Sequence, residues 1–226
     1  MARIYSILSV VGLWLLSAAA SAASLQVQVL EPSGQPVRDA VVTLQGPLGQ
    51  PAGTLKADMD QRDKQFAPHV LAIHTGTPVK FPNSDNIRHQ VYSFSPAKKF
   101  ELRLYEGTPS DAVLFDKPGV VVLGCNIHDW MLGYVYVTDD PRFGVTDAQG
   151  ALNLDALPVG SYRLTLWHPQ ANGMQPQDGG QVQIPAGGLH KAFAMTLEPL
   201  PEGLPGAPAP SAFGDAFERA ARETAQ

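Results

Sequence analysis

The segment GCNIHDWMLGYVYV, residues 124–137, contains three side chains that bind soft metal ions. Cys125 is the only cysteine of the 226-residue chain, and His128 and Met131 follow it at intervals of three residues. A thiolate, an imidazole and a thioether are ligands that copper prefers. A single cysteine can also be a buried apolar side chain or form a disulfide between two chains. The spacing therefore makes a metal site one hypothesis beside these two.

A fourth candidate ligand lies in the segment FPNSDNIRHQVYSF, residues 81–94. His89 follows a polar turn there and directly precedes a predicted strand. One thiolate, two imidazoles and a weakly bound thioether form the ligand set of blue-copper electron-transfer sites. Taken singly, His89 is compatible with a turn histidine and Met131 with a core residue, but their joint occurrence favours copper. The predicted ligands of one type 1 copper ion are His89, Cys125, His128 and Met131.

Strands must position these ligands, because short Val-, Leu- and Tyr-rich runs alternate with turn signals along the chain. The chain has 21 Gly and 20 Pro, and only 16% of its residues are charged. This composition is typical of an all-β protein. In the middle of the chain, the candidate strands are HVLAIHTGTPVKF, HQVYSFS, KKFELRL, GVVVLGC and MLGYVYV. Cys125 ends one of these runs, and we expect the short loop after it to fold the next two ligands back towards the thiol.

Residues 57–138 resemble the cupredoxin family, most closely its amicyanin- and plastocyanin-like branch. The matching phrases are FAPHVLAIHTGTPVKFPNSDNIRHQVYSF, KFELRLYEG and FDKPGVVVLGCNIHDWMLGYVYV. The four ligands occur in the order of the family, each at a strand edge. The chain is also similar to cupredoxin-containing proteins named as methylamine utilization proteins. The resemblance implies a Greek-key β-sandwich over 56–138, one type 1 copper ion, and an electron carrier that is not an enzyme.

The segment departs from the family pattern beside both ligand loops. Many cupredoxins have an asparagine next to the first histidine ligand, where it braces the two loops. Here Gln90 has that place, with Asn83 and Asn86 nearby. Asp129 and Trp130 stand where many relatives have smaller or apolar residues. We expect these five residues either to support the ligands or to form part of a docking surface.

The segments that flank this domain look like two halves of one module. GQPVRDAVVTL, residues 34–44, and TDAQGALNLDALPVGSYRLTL, residues 146–166, resemble the carboxypeptidase-regulatory-like, or prealbumin-like, β-sandwich. Two strands cannot bury a core by themselves. The sequence therefore predicts one sandwich split into 24–55 and 139–198, with the copper domain inserted in it. The alternative is a tandem arrangement, in which residues 25–46 belong to the copper domain.

The two ends of the chain predict a targeting signal and a tail. Residues 1–23 combine Arg3, an apolar run and the small-residue stretch AAASAAS, which indicates a secretory signal peptide and a periplasmic protein. Membrane contact is not indicated once this peptide is removed, since the apolar run is short for a membrane span. Residues 199–226 form a tail rich in Pro, Gly and Ala, and the apolar spacing near its end is compatible with a short helix.

Composition also restricts the partners. The net charge is −5 and no basic stripe appears, which argues against a nucleic-acid partner. The sequence shows no nucleophile elbow and no phosphate-binding glycine loop. It predicts a periplasmic one-electron carrier with redox proteins of unknown identity as donor and acceptor. The resemblance implies that the edge of His128 is exposed and conducts electrons. The alternative function is a copper-handling protein that stores or delivers the metal.

Overall fold

The computed structural model describes residues 22–49, 56–109 and 111–199. Residues 1–21 of the predicted signal peptide and the tail from residue 200 lie outside the described residues. The first strands are β1 (Ala22–Leu30), β2 (Val41–Gln45), β3 (Ala57–Asp58), β4 (Asp60–Arg62), β5 (Gln65–Ala67), β6 (Val70–His74), β7 (Thr77–Lys80), β8 (His89–Ser93) and β9 (Phe100–Tyr105). The later strands are β10 (Val113–Phe115), β11 (Gly119–Gly124), β12 (Leu132–Thr138), β13 (Arg142–Val145), β14 (Ala151–Pro158), β15 (Gly160–Trp167), β16 (Gln177–Ile184) and β17 (Leu189–Ala194).

The described part of the chain is almost entirely β-structure, which confirms the predicted fold class. Its one helical element is a 3-10 turn at Asn172–Met174. No helix in these residues is long and apolar enough to cross a membrane.

Residues 57–138 contain a five-stranded sheet and a three-stranded sheet around one core. The larger sheet has the order β6, β12, β11, β8 and β9, and the smaller one the order β10, β7 and β3. Each sheet combines antiparallel pairing with one parallel pair, β6 with β12 in the larger sheet and β3 with β7 in the smaller one. The common core includes Val91, Leu123 and Val135 from the larger sheet and Val79 and Phe115 from the smaller one. This arrangement places the start of β8 beside the end of β11, because the two strands are antiparallel neighbours.

Strands β1 and β2 pair with strands that follow residue 140. β1 lies between β14 and β17, and β2 lies between β13 and β15, with β16 beyond β15. Leu25 is in register with Leu154 and Leu189, and Leu44 with Leu164. Among the described sheets, neither strand pairs with a strand of 57–138. These pairings support the proposal that 24–55 and 139–198 form one split sandwich.

Trp167 lies where the two sandwiches meet. Its side chain is fully buried and clusters with Val41, Val70 and Tyr136. The centroid of its ring is 5.2 Å from that of Tyr136, and its Nε1 donates a hydrogen bond to the carbonyl of Met174 at 2.8 Å. Because Tyr136 belongs to β12, this contact joins the strand that follows the candidate ligand loop to the second sandwich.

Replacement of Trp167 by alanine should lower the free energy of unfolding by about 3–5 kcal/mol, since it opens a cavity at this junction. Urea denaturation followed by far-UV circular dichroism measures the change. Val159→Ala is the matched control, because Val159 is 45% exposed and its truncation should change stability by no more than about 0.5 kcal/mol. Equal effects of the two substitutions would mean that Trp167 does not stabilise the junction.

Candidate metal centre

The side chains of His89, Cys125 and His128 converge where β8 begins and β11 ends. All three residues are buried, and their potential ligand atoms lie within 4.8 Å of one another. Cys125 Sγ is 3.9 Å from His89 Nδ1, and the ring centroids of the two histidines are 5.0 Å apart. One thiol and two imidazoles at these distances can hold a single transition-metal ion.

Local backbone structure brings the ligand loop to this place. Gly124, the last residue of β11, is opposite Tyr92 in β8. A Cβ atom at Gly124 would lie 2.8 Å from Tyr92 Cζ, so only glycine allows this approach without a shift of the ring. After Cys125 the chain turns tightly, since the backbone N–H of Met131 donates to the carbonyl of His128 at 2.9 Å. Through this turn Cys125 and Met131, which are six residues apart in sequence, return to one core.

Met131 is buried and belongs to the same core cluster as Cys125. Its exposed fraction is 1%, so its thioether is shielded from water. Met131 therefore stays the predicted fourth ligand.

The imidazole of His128 has a buried Nδ1 without a hydrogen-bond partner and a lowered pKa. Its Nδ1 is buried and makes no hydrogen bond within the described structure. An unpaired buried nitrogen normally destabilises a protein, and a metal ion would satisfy it. Burial is the main reason that the pKa of His128 lies below its ordinary value, and repulsion from His89 and Lys64 adds to it. The neutral ring, which offers a lone pair, is thus favoured.

The surroundings of His128 differ from the sequence-based expectation of an exposed edge. The residue is only 8% exposed, and the ring of Trp130 packs against it with a centroid distance of 5.1 Å. Trp130 is itself partly buried, and its Nε1 is buried without a hydrogen-bond partner in the described residues. Exposed side chains nearby are those of Ile127 and Asp129.

His89 is held by the carboxylate of Asp85, which is not among the site residues predicted from the sequence. The ring is fully buried, with Nδ1 towards Cys125 and Nε2 2.7 Å from Asp85 Oδ2. Asp85 also accepts hydrogen bonds from the backbone N–H groups of Asp63 at 2.7 Å and Lys64 at 2.9 Å. Burial raises the pKa of Asp85, but these hydrogen bonds outweigh it and hold the pKa below its ordinary value. The place of Asp85 four residues before His89, in a polar turn, was the signal available in the sequence.

Of the remaining predicted residues, Asn83 has a clear bracing role. Its Nδ2 donates to the carbonyls of Ile87 at 2.8 Å and Tyr105 at 3.0 Å, while its Oδ1 accepts from the N–H of Asp85 at 3.1 Å. These bonds fix the loop that precedes His89.

Among the described residues, no hydrogen bond joins Gln90 or Asn86 to the ligand loop. Gln90 donates to Glu101 on the neighbouring strand β9 at 2.7 Å, because successive side chains of a strand point to opposite faces. Asn86 is exposed, as is Asp129. A docking role for Asp129 and Trp130 stays a prediction.

Part of this chain is similar in structure to proteins whose structures have been solved. No known protein-family profile and no curated protein matches the chain. A purple cupredoxin from Nitrosopumilus maritimus is similar at 23% sequence identity, covering 36% of this chain and 99% of that chain, with a TM-score of 0.33. A copper-containing nitrite reductase from Thermus scotoductus is similar at 25% identity, covering 50% of this chain and 28% of that chain, with a TM-score of 0.36. A Cu(I) form of an amicyanin variant is similar at 18% identity, covering 43% of this chain and 98% of that chain, with a TM-score of 0.33. Cupredoxins are thus among the solved structures to which this chain is similar, and the case for a metal centre rests on the donor atoms described above.

Proposed function

We propose that this protein is a periplasmic type 1 copper protein that carries single electrons between two redox proteins. The observation that carries the proposal is that Cys125, His89 and His128 are buried with their potential ligand atoms within 4.8 Å of one another. Copper bound by such a set can cycle between Cu(II) and Cu(I). The buried Nδ1 of His128 supports the proposal, since it has no hydrogen-bond partner among the described residues.

The residues of the chain supply binding, orientation and exclusion of water. Cys125 would provide the thiolate, and the two histidines would complete the set from β8 and from the ligand loop. All three are at most 8% exposed, so that water has little access to the ligand atoms. Two exposed apolar side chains, Ile127 at 50% and Leu132 at 38%, lie on the loop and directly after it. They would offer a partner protein an apolar surface near the site.

A copper titration of the purified protein tests this function. We expect one equivalent of Cu(II) to produce an intense visible thiolate-to-copper band, which a reductant bleaches and an oxidant restores. Zn(II) is the control metal ion, because it binds thiolate and imidazole without visible colour. If copper is held only as colourless Cu(I) and passes readily to a chelator, the protein stores or delivers copper instead. If no copper binds, the proposal is wrong.

Met131→Leu should keep the copper and the colour but raise the reduction potential. Loss of the weak thioether donor destabilises Cu(II) more than Cu(I). The similar volume of leucine should limit the loss of stability to less than about 1.5 kcal/mol. Redox titration measures the potential, with Met195→Leu as control, since Met195 is equally buried but lies in the core of the second sandwich. Identical potentials in both variants would exclude Met131 as a ligand.

The proposed periplasmic location rests on the N-terminal sequence. Ala22 and Ala23 already belong to β1, opposite Pro158 and Leu157. Cleavage after Ala23 would therefore shorten β1 by two residues and remove the buried Ala23, while the core positions Leu25, Val27 and Val29 stay in place. N-terminal sequencing of the exported protein identifies the cleavage site.

A further inference from the structure

We infer that Asp85 is a positioning residue of the metal centre, which fixes the proton of His89 on Nε2 and stabilises Cu(II) with its negative charge. The inference rests on the proposed copper function and extends it to the support of one ligand. It begins with the two ring nitrogens of His89, which face different partners. Nε2 lies 2.7 Å from Asp85 Oδ2, and Nδ1 lies 3.9 Å from Cys125 Sγ.

The chemistry of the carboxylate decides the tautomer. An ionised carboxylate has no hydrogen to donate, so the nitrogen that contacts it must carry the proton. In neutral His89 this leaves the lone pair on Nδ1, on the side of Cys125. A carboxylate that accepts from a ligand imidazole also makes the imidazole a stronger donor to the metal.

Asp85 is itself held firmly enough to direct the ring. Its carboxylate accepts from the N–H groups of Asp63 and Lys64, at the turn between β4 and β5. Both turn residues have left-handed backbone conformations, with φ of 55° and 59°, and the carboxylate binds the N–H groups that this turn presents. The N–H of Asp85 donates to Asn83 Oδ1, and its side chain is only 13% exposed. The carboxylate is thus fixed by the hairpin on one side and by its own loop on the other.

Asp60 offers a matched control at the same loop. Its carboxylate accepts from Ser84 Oγ and from Arg62, and its side chain is 14% exposed. It therefore also joins β4 to the loop that precedes His89, at nearly the same burial. No hydrogen bond described for Asp60 involves a histidine. Asp60→Asn removes one carboxylate and weakens the same loop without changing the partner of His89.

The test compares Asp85→Asn with Asp60→Asn in the full chain. Nitrogen-15 NMR of the copper-free protein should show His89 as a single Nε2–H tautomer in the wild type and in Asp60→Asn. Asp85→Asn should lose this single tautomer. Its one amide oxygen must replace the two carboxylate oxygens that accept from the N–H groups of Asp63 and Lys64 and from His89. With copper added, Asp85→Asn should bind Cu(II) about 10- to 100-fold more weakly. Where Cu(I) affinity is unchanged, each tenfold loss raises the one-electron potential by about 59 mV.

Asp85→Glu keeps the negative charge. Its reduction potential should therefore lie between that of the wild type and that of Asp85→Asn. Asp85→Glu replaces Asp85→Asn as the test variant if the latter does not fold, as judged by circular dichroism. Equal changes in Asp85→Asn and Asp60→Asn, or an unchanged tautomer and potential in Asp85→Asn, would overturn the inference. Failure of the proposed function is a separate result, since the wild type would then give no coloured copper complex before any variant is compared.

Discussion

Cys125→Ser should abolish the intense visible band of the copper-loaded protein entirely. The band requires electron donation from a thiolate, and a serine hydroxyl does not ionise near neutral pH to replace it. Cys125 is 4% exposed and packs in the core of the first sandwich. The buried hydroxyl should lower the free energy of unfolding by about 1–3 kcal/mol. The fold should therefore persist while the colour disappears. Visible spectroscopy and metal analysis at equal protein concentration measure the effect.

A neighbouring substitution shows whether the loss is specific to the thiol. Asn126→Ser places a hydroxyl one residue further along the same loop, at an exposed position. It should leave the band and the copper content unchanged. If Cys125→Ser also left both unchanged, Cys125 would not be a ligand and the site would have to lie elsewhere.

A fragment of residues 140–199 should not fold by itself, whereas residues 56–139 should still fold and bind copper. The reason is the place of β1 and β2, which are interior strands of their sheets. Their removal separates β14 from β17 and β13 from β15. It also removes, from the core that these strands share with β14 to β16, five side chains that are at most 2% exposed: Leu25, Val27, Val29, Val42 and Leu44. Burial of each contributes about 1.5–3 kcal/mol, and the five together equal the net stability of a typical domain, about 5–15 kcal/mol.

Amide dispersion in NMR spectra and the cooperativity of urea unfolding distinguish folded from unfolded fragments. Addition of a peptide of residues 22–49 to the fragment 140–199 should restore a cooperative transition, which is the control for a general defect of the fragment. The copper-binding fragment should be less stable than the full chain, since it exposes Tyr136 where Trp167 covered it. A tandem arrangement requires the opposite result, with 140–199 folded alone and 56–139 dependent on 22–49.

The local features of the site could be read from the sequence because covalent spacing determines them. Cys125 and His128 are three residues apart at the end of an apolar run, and a short loop keeps such ligands together whatever surrounds it. His89 could be selected because it stands where a polar turn becomes a strand. The alternation of Leu25, Val27 and Val29 likewise predicted one buried face, and all three are buried.

Only the tertiary structure decided which groups support these ligands. Asp85 acts on His89 together with a turn at Asp63, more than twenty residues earlier, and that contact depends on the packing of the hairpin β4–β5. The ring of Trp130 packs against His128, and sequence spacing leaves the position of that ring open. The partners of β1 lie more than 120 residues away. Alternating apolar residues specify that a strand has a buried face, but many strands could cover it, and the complementary packing of the whole chain selects one.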